Sequence, residues 1–324
     1  MGIKGLTGLI QKYAPESIES INLHTLSGKR LAIDASLFIY KMAFSVKTSQ
    51  EGKSYGHIIG IFQKSINYLA VGIEPIYIFD GKPPDAKNSI LKARRDKSDA
   101  LKKLMNESED KDKKEKYKTQ SFRMTKEDVD DVKKLLSLMG ISYIQANGEA
   151  EGYASELCKM GYVDGVVTED MDSLAFGTPL LVRSNIDKSI KRKDVLSTIN
   201  MQKILEGMNI TFEEFLDICI MSGCDYCENI RGIGPNKSYQ KIKEHKTIEN
   251  FVESYKKVEP DYLDKVKTSR ELFKIYDKKI IENDIKKSAS LINPGELKTF
   301  LVDKCGLSEK RFNNAMIKIT PKKT

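Results

Sequence analysis

The chain is poor in the residues that build zinc sites and disulfide frameworks. Its 324 residues include only three histidines (His24, His57 and His245) and five cysteines. Cys224 and Cys227 form a C-x-x-C, but no second pair stands at a suitable spacing and histidine is too scarce to complete a ligand set. These two thiols read instead as buried or half-buried groups flanking Asp225. With no secretory leader and so few cysteines, a reducing intracellular compartment and free thiols are expected. No apolar run is long enough to span a bilayer, so no membrane partner is expected. The opening MGIKGLT carries Leu6 where an acylation motif needs Ser or Thr, which excludes N-myristoylation. Internal repeats and low-complexity tracts are also lacking.

Charge is abundant instead. Charged residues make up 31% of the chain against 40% apolar, and the net charge is +8. That balance describes a broad polar surface with an anionic partner. Lysine dominates the basic residues, which suits diffuse attraction to a phosphate backbone better than bidentate reading of bases. The length allows one large domain or two.

The apolar pattern alternates strand with helix. Residues 29–34 and 75–80 are short, β-rich and bounded by Gly or Pro, as buried strands are. Between them His57 to Val71 carries apolar residues at helical spacing, giving a strand–helix–strand unit with a parallel sheet. Glu127 to Met139 is amphipathic, Gly140 stops it, and ISYI follows as a strand. A helix from Gly148, a strand over 162–168, a helix over Phe212 to Met221 and Lys-rich helices beyond about residue 260 complete the expectation. The fold class is α/β, with a central, mostly parallel twisted sheet flanked by helices. Asp85 to about Met124 is crowded with both charge signs and shows little apolar periodicity. It reads as a solvated helical insertion or as a mobile basic gate, and its place directly after Asp80 favours the gate.

Five apolar runs end in carboxylates: LAID at Asp34, PIYIFD at Asp80, ISYIQANGEAE at Glu149 and Glu151, GVVTEDMD at Asp170 and Asp172, and LDICIMSGCD at Asp225. In an open parallel sheet the carboxyl ends of the strands line one crevice, so these seven acids converge. Converged carboxylates repel one another unless cations sit among them. An oxygen-rich, thiol-free ligand set suits Mg²⁺. Two divalent ions about 4 Å apart can supply what phosphodiester hydrolysis needs. Glu149 and Glu151, two apart in a first helical turn, diverge by about 200°, so one is expected to reach a metal directly and the other through water. Lys87 and Arg94 are two helical turns apart and are expected on one face of a helix beginning just past Asp80, as a clamp on the phosphate opposite the metals. The segment NIRGIGPNKS (Asn229 to Ser238) has the G-x-G turn of a helix–hairpin–helix module, which lets backbone amides approach a duplex phosphate.

MGIKGL, IDAS, FDGKPP, EAE, TEDMDSLAFG and SGCDYCENIRGIGP together resemble the flap endonuclease family of structure-specific 5′ nucleases, in motif order and in spacing, from Met1 to about residue 250 and more faintly to Ile317. The resemblance implies Asp34, Asp80, Glu149 and Glu151 at one Mg²⁺ and Asp170, Asp172 and Asp225 at the other, with Mn²⁺ able to substitute. It implies Lys87 and Arg94 as catalytic cations at the base of a helical gateway, and Tyr40 as the aromatic on which a base stacks. Gly2, Lys47, Arg231, Gly232, Gly234 and Lys237 would meet DNA, and the carbonyls of Asn229, Ile230 and Ile233 would hold K⁺. It divides the chain into a nuclease region (1–84), a helical arch (85–125), a second nuclease region (126–260, hairpin module 225–245) and a C-terminal helical segment (261–324). The implied function is a metal-dependent 5′ flap endonuclease of replication and repair with 5′–3′ exonuclease activity, acting as a monomer on flapped, nicked or gapped duplex. The product would carry a 5′-phosphate and leave a 3′-hydroxyl. A pure exonuclease of the same superfamily and a catalytically silent junction-binding scaffold are the alternatives; the scaffold would lack acids that are all present here. The chain stops at PKKT without a clamp-binding motif, so no direct sliding-clamp partner is expected, and the short Val46–His57 loop bears on the 3′-flap preference. The expected location is the nucleus for a cellular host and a cytoplasmic replication site for a viral one.

Overall fold

A computed structural model of the chain describes residues 2–43, 49–50, 53–187, 189–190, 192, 194–255, 258–274, 284 and 292–319. Its strands are β1 (Ile18–Asn22), β2 (Arg30–Asp34), β3 (Ser49–Gln50), β4 (Lys53–Ser54), β5 (Glu74–Phe79), β6 (Tyr143–Gln145), β7 (Gly165–Val167), β8 (Leu180–Ser184) and β9 (Val195–Asn200). Seven of them form one sheet in the order β1-β9-β8-β7-β2-β5-β6. The β6-β5-β2-β7-β8 portion is parallel, while β9 and β1 extend it antiparallel. From β2 the chain first builds outward through β5 and β6, then returns to lay β7 on the other side of β2. That reversal leaves a crevice at the carboxyl ends of β2 and β7.

The helices are α1 (Leu6–Tyr13), α2 (Ala35–Met42), α3 (Gly56–Ala70), α4 (Asn88–Glu107), α5 (Lys111–Gln120), α6 (Lys126–Leu138), α7 (Ala150–Lys159), α8 (Asp172–Ala175), α9 (Met201–Met208), α10 (Phe212–Ser222), α11 (Pro235–His245), α12 (Ile248–Ser254) and α13 (Tyr262–Leu272). Further helical turns cover Pro294–Lys298, Thr299–Lys304 and Glu309–Ile319. None of the helices among the described residues is long and apolar enough to cross a membrane.

Both sheet faces are covered, which explains why the central strands read as continuous apolar runs. Leu31, Ile33, Tyr77 and Phe79 face one side, against α2, α3 and α6. Ala32, Ile76 and Ile78 face the other, against Ala150, Tyr153, Ala154 and Leu157 of α7. A second large core joins α1, α8, α9, α10 and α11 with Leu181 and Ile199 of the sheet. The C-terminal helical turns belong to the first core: Leu297, Phe300, Leu301 and Phe312 pack on α3 and α6, with Phe312 stacked on Phe62 at 6.3 Å between centroids.

Several expectations need adjustment. The strands around 141–144 and 162–168 are shorter, at Tyr143–Gln145 and Gly165–Val167. The charged insertion is a pair of helices, α4 and α5, packed on each other, and Ser98 is the buried residue of α4 while α5 buries none. α4 starts at Asn88, not just past Asp80, so Lys87 ends a preceding 3₁₀ turn (Asp85–Lys87) instead of sharing a helical face with Arg94. Strands β1, β8 and β9 were not anticipated. In β9 the buried Ser197 and Thr198 interrupt the apolar run; Ser197 Oγ donates to Asn185 Oδ1 at 3.1 Å and so meets its polar need inside the core.

Candidate active site

Each acid is set by the end of an element. Asp34 closes β2 and caps α2: its Oδ1 accepts from the Leu37 N–H at 3.0 Å, and Oδ2 accepts from Thr168 Oγ1 at 3.2 Å. Asp80 follows β5, and its Oδ1 accepts from the Ala150 N–H at 2.9 Å, one of the free donors at the start of α7. Gly81 makes that approach feasible, because a Cβ there would lie 2.1 Å from the Ala146 carbonyl oxygen. Its N–H donates to Gly148 O at 2.7 Å, drawing the end of β5 onto the loop that carries Glu149. Glu149 is the cap residue of α7 and Glu151 lies in its first turn. After β7, Thr168 Oγ1 accepts from the Asp170 N–H at 3.1 Å, and Asp170 Oδ1 accepts from the Asp172 N–H at 3.1 Å. Asp225 follows Gly223, the φ +95° cap of α10.

The acids repel one another across the crevice. Burial first, then Asp80 and Asp170, push the Asp34 carboxyl up to about 7. Burial, Asp170 and Asp225 push Asp172 up to about 8. Burial and then Asp34, Asp80, Asp170 and Glu149 raise Glu151 well above the ordinary carboxylate range. The interactions fall into two overlapping groups, one centred on Glu151 and one on Asp172, with Asp170 in both. Among the described residues, no three carboxylate, imidazole or thiol side chains already surround a single point at metal-ligand spacing. In kind, however, the cluster fits hard divalent cations: its donors are carboxylate oxygens and its raised acids need positive charge beside them. The neighbouring thiols do not compete, because burial pushes Cys227 up to about 11 and Cys224 higher still.

Two cations reach into the cluster from the insertion. Lys87 Nζ pairs with Glu149 Oε1 and, at 2.9 Å, with Asp225 Oδ2. Arg94 Nη2 donates to both oxygens of Asp225 at 3.1 Å. Burial alone would raise Asp225, but Lys87 and Arg94 outweigh it and hold its carboxyl below the ordinary value. Burial would lower Lys87, yet Glu149 and Asp225 keep it firmly protonated. In the structure both cations pair with the acids themselves.

The remaining sequence-derived residues lie around this centre. Gly2 has φ +83°, and a Cβ on it would stand 2.0 Å from Asp170 Oδ1 and 2.8 Å from Asp172 Oδ1. Tyr40 is half-exposed on α2, with the Phe122 ring near-perpendicular to it at 5.6 Å between centroids, and its hydroxyl accepts from the Met124 N–H at 3.4 Å. In the hairpin turn Gly232 has φ +82°, Gly234 caps α11, and both present open space where a Cβ would stand. Arg231 and Lys237 are exposed, with Lys237 Nζ donating to Gly232 O at 2.9 Å. The carbonyls of Ile230 and Ile233 converge, but on the Asn229 side-chain amide, at 3.2 and 3.1 Å. Pro235 of this turn packs on the N-terminal segment, 3.2 Å from where a Gly5 Cβ would stand. Lys47, and the part of the Val46–His57 loop at 46–48 and 51–52, lie outside the described residues.

Sequence reasoning missed three contributors. The Ile3 N–H donates to Asp172 Oδ1 at 2.8 Å, a backbone role without a side-chain signal. Thr168 joins Asp34 to the Asp170 loop; a Thr between a strand end and an acid was the available cue. Glu169 accepts from Lys41 Nζ at 2.7 Å and from the Ser184 N–H at 3.2 Å, anchoring the same loop to α2 and β8.

Comparison with known proteins agrees with this architecture. The sequence matches the XPG N-terminal domain over residues 1–101 and the XPG I-region over residues 140–225. It is 40% identical to flap endonuclease 1 of Glycine max, covering 98% of this chain and 86% of that protein. It is 37% identical to flap endonuclease 1 of Entamoeba histolytica, covering 98% and 87%. Among solved structures, flap endonuclease-1 from Methanococcus jannaschii superposes with a TM-score of 0.69 at 26% identity over 98% of each chain. The catalytic core of Rad2 in complex with DNA substrate shares the fold, with a TM-score of 0.70 at 21% identity over 98% of this chain and 100% of that one.

Proposed function

The chain belongs to the flap endonuclease 1 family, and from that premise we propose how its residues divide the work. It is a structure-specific flap endonuclease, a metal-dependent hydrolase of DNA phosphodiester bonds in replication and repair. In our reading Asp34, Asp80, Glu149 and Glu151 hold one Mg²⁺, and Asp170, Asp172 and Asp225 hold the second. Mn²⁺, with the same oxygen preference, would substitute. Bound there, the ions would supply Lewis acidity and positive charge beside the phosphate.

The chain's own groups do the rest. Lys87 and Arg94 exchange their carboxylate partners for oxygens of the scissile phosphate, where they oppose the charge that grows in the transition state. Tyr40 offers its exposed ring to a base beside the cut. Gly232 and Gly234 admit the duplex backbone, with Arg231 and Lys237 at the rim and Lys47 as a further phosphate contact. Gly2 keeps the approach to Asp170 and Asp172 narrow. Hydrolysis leaves a 5′-phosphate and a 3′-hydroxyl. K⁺ in the hairpin would require the Asn229 amide to withdraw from the Ile230 and Ile233 carbonyls, on which it now donates. We take the working unit to be a monomer acting where the genome is replicated, the nucleus in a cellular host.

The carrying observation is the convergence of raised, mutually repelling acids beneath two cations of the insertion. Matched flap, nicked, gapped and single-stranded substrates, each with Mg²⁺ or a chelator, test it. Mg²⁺-dependent cutting near the flap junction is expected. Cutting only inward from free 5′ ends would favour the exonuclease, and binding without any cutting the scaffold.

A further inference from the structure

One arginine closes the base of the helical insertion. Ser98 is the buried residue of α4, and its Oγ donates to the Ser121 carbonyl oxygen at 2.8 Å on the returning leg. Arg123 completes the closure from that leg. Its Nε donates to Ser98 Oγ at 2.9 Å, and its Nη2 pairs with Asp99 Oδ1 at 2.8 Å and donates to the Arg95 carbonyl oxygen. The residues on either side of Arg123 hold Tyr40: Phe122 by a near-perpendicular ring contact and Met124 by its N–H.

The helical repeat gives this closure its consequence. Ser98 is four residues beyond Arg94, so the two share one face of α4. Fixing Ser98 and the Arg95 carbonyl therefore fixes the rotation of α4 about its axis, and that rotation decides whether the Arg94 guanidinium reaches Asp225. A planar fork with several donors in fixed directions can hold three groups at once, whereas an ammonium is a point charge. We propose that Arg123 is a positioning residue: by clasping Ser98, Asp99 and the Arg95 carbonyl, it aims Arg94 at the acid site. The inference rests on the reading of Arg94 given above. The competing role for an arginine on this rim is a direct contact to a DNA phosphate, which needs only charge.

The test is a set of four variants, Arg123→Lys, Arg94→Ala, the two combined and Ser98→Ala, assayed by single-turnover cleavage of a 5′-flap substrate with Mg²⁺ and by equilibrium binding of the same DNA in chelator. Circular dichroism confirms that each is folded. Arg123→Lys keeps the charge and loses the fork, so the expected outcome is cleavage slowed about tenfold with affinity changed less than about twofold, as for a misaimed group. On the Arg94→Ala background the same change should add less than about twofold, because its target is gone. Ser98→Ala should reproduce the pattern of Arg123→Lys from the other side of the clasp. Wild-type cleavage by Arg123→Lys, with Arg94→Ala still slow, overturns the clasp and leaves Arg94 in place. Additive losses also overturn it, since Arg123 would then act apart from Arg94. Wild-type cleavage by Arg94→Ala overturns the reading of Arg94, and the inference with it.

Discussion

Gly2 lies against Asp170 so closely that a Cβ on the glycine would stand 2.0 Å from the carboxylate oxygen Oδ1. With φ at +83°, Gly2→Ala carries both the backbone strain of a left-handed residue, about 1–3 kcal/mol, and a collision with the acids. Single-turnover cleavage should fall at least about tenfold while junction binding holds. An alanine variant cutting at the parental rate would show that this approach is not needed.

Asp172→Ala should abolish cutting and spare junction binding, because the hairpin turn and basic rim are elsewhere in the chain. Gel-shift titration beside a cleavage assay separates the two. Parallel loss of both would contradict the division of labour.

Lys87→Ala removes the cation that pairs with Glu149 and Asp225. Losing one such electrostatic donor is expected to cost about 10²–10³ in single-turnover rate with little change in affinity. A defect confined to affinity would reassign Lys87 to a simple DNA contact.

The raised acids give metal-free stability a definite pH sign. Burial and neighbouring acids push the Asp34 and Asp172 carboxyls up to about 7 and about 8 in the folded protein, above the carboxylate range of the unfolded chain. Between those limits the native state holds protons that the unfolded state has released, so stability falls as pH rises through the window. In chelator, Tm should be lower at about pH 8.5 than at about pH 6, and Mg²⁺ should raise Tm more at the higher pH. Asp172→Asn should flatten the chelated profile. A chelated Tm that climbs across this range would show that the acids do not repel one another as described.

DNA binding should weaken steeply with salt, since each phosphate contact on duplex releases about 0.9 of a counterion. Affinities measured across a salt series give the slope. A flat series would be incompatible with a lysine-rich backbone grip.

The parallel centre of the fold was legible because β2 and β5 are buried on both faces, and such strands read as short apolar blocks that need no partner to be recognised. The positions of the acids were legible for the same reason: Asp34 and Asp80 mark where those blocks stop. What escaped detection depends on tertiary context. β9 buries both Ser197 and Thr198, and their hydroxyls are met by the Asn185 side chain and the Glu19 carbonyl, partners distant in the chain. Lys87 looked helical by spacing alone, yet the chain needs a 3₁₀ turn after Pro83 and Pro84 before α4 can begin. The Ile3 N–H has no side-chain signature at all, and the pairing of Lys87 with Glu149 and of both cations with Asp225 joins residues far apart in the chain, which local spacing does not encode.

The stacking of Phe312 on Phe62 has a practical corollary. The last described helix is a buttress for α3, the crossover that joins β2 to β5 and thereby sets the spacing of Asp34 and Asp80. Trimming the chain before residue 292, as if its lysine-rich end were a disposable tail, would strip Leu297, Phe300, Leu301 and Phe312 from α3 and α6 and expose greasy flanks to water. Loss of cutting by such a shortened protein would then report collapse of the scaffold, and would say nothing about a role for the tail in gripping DNA.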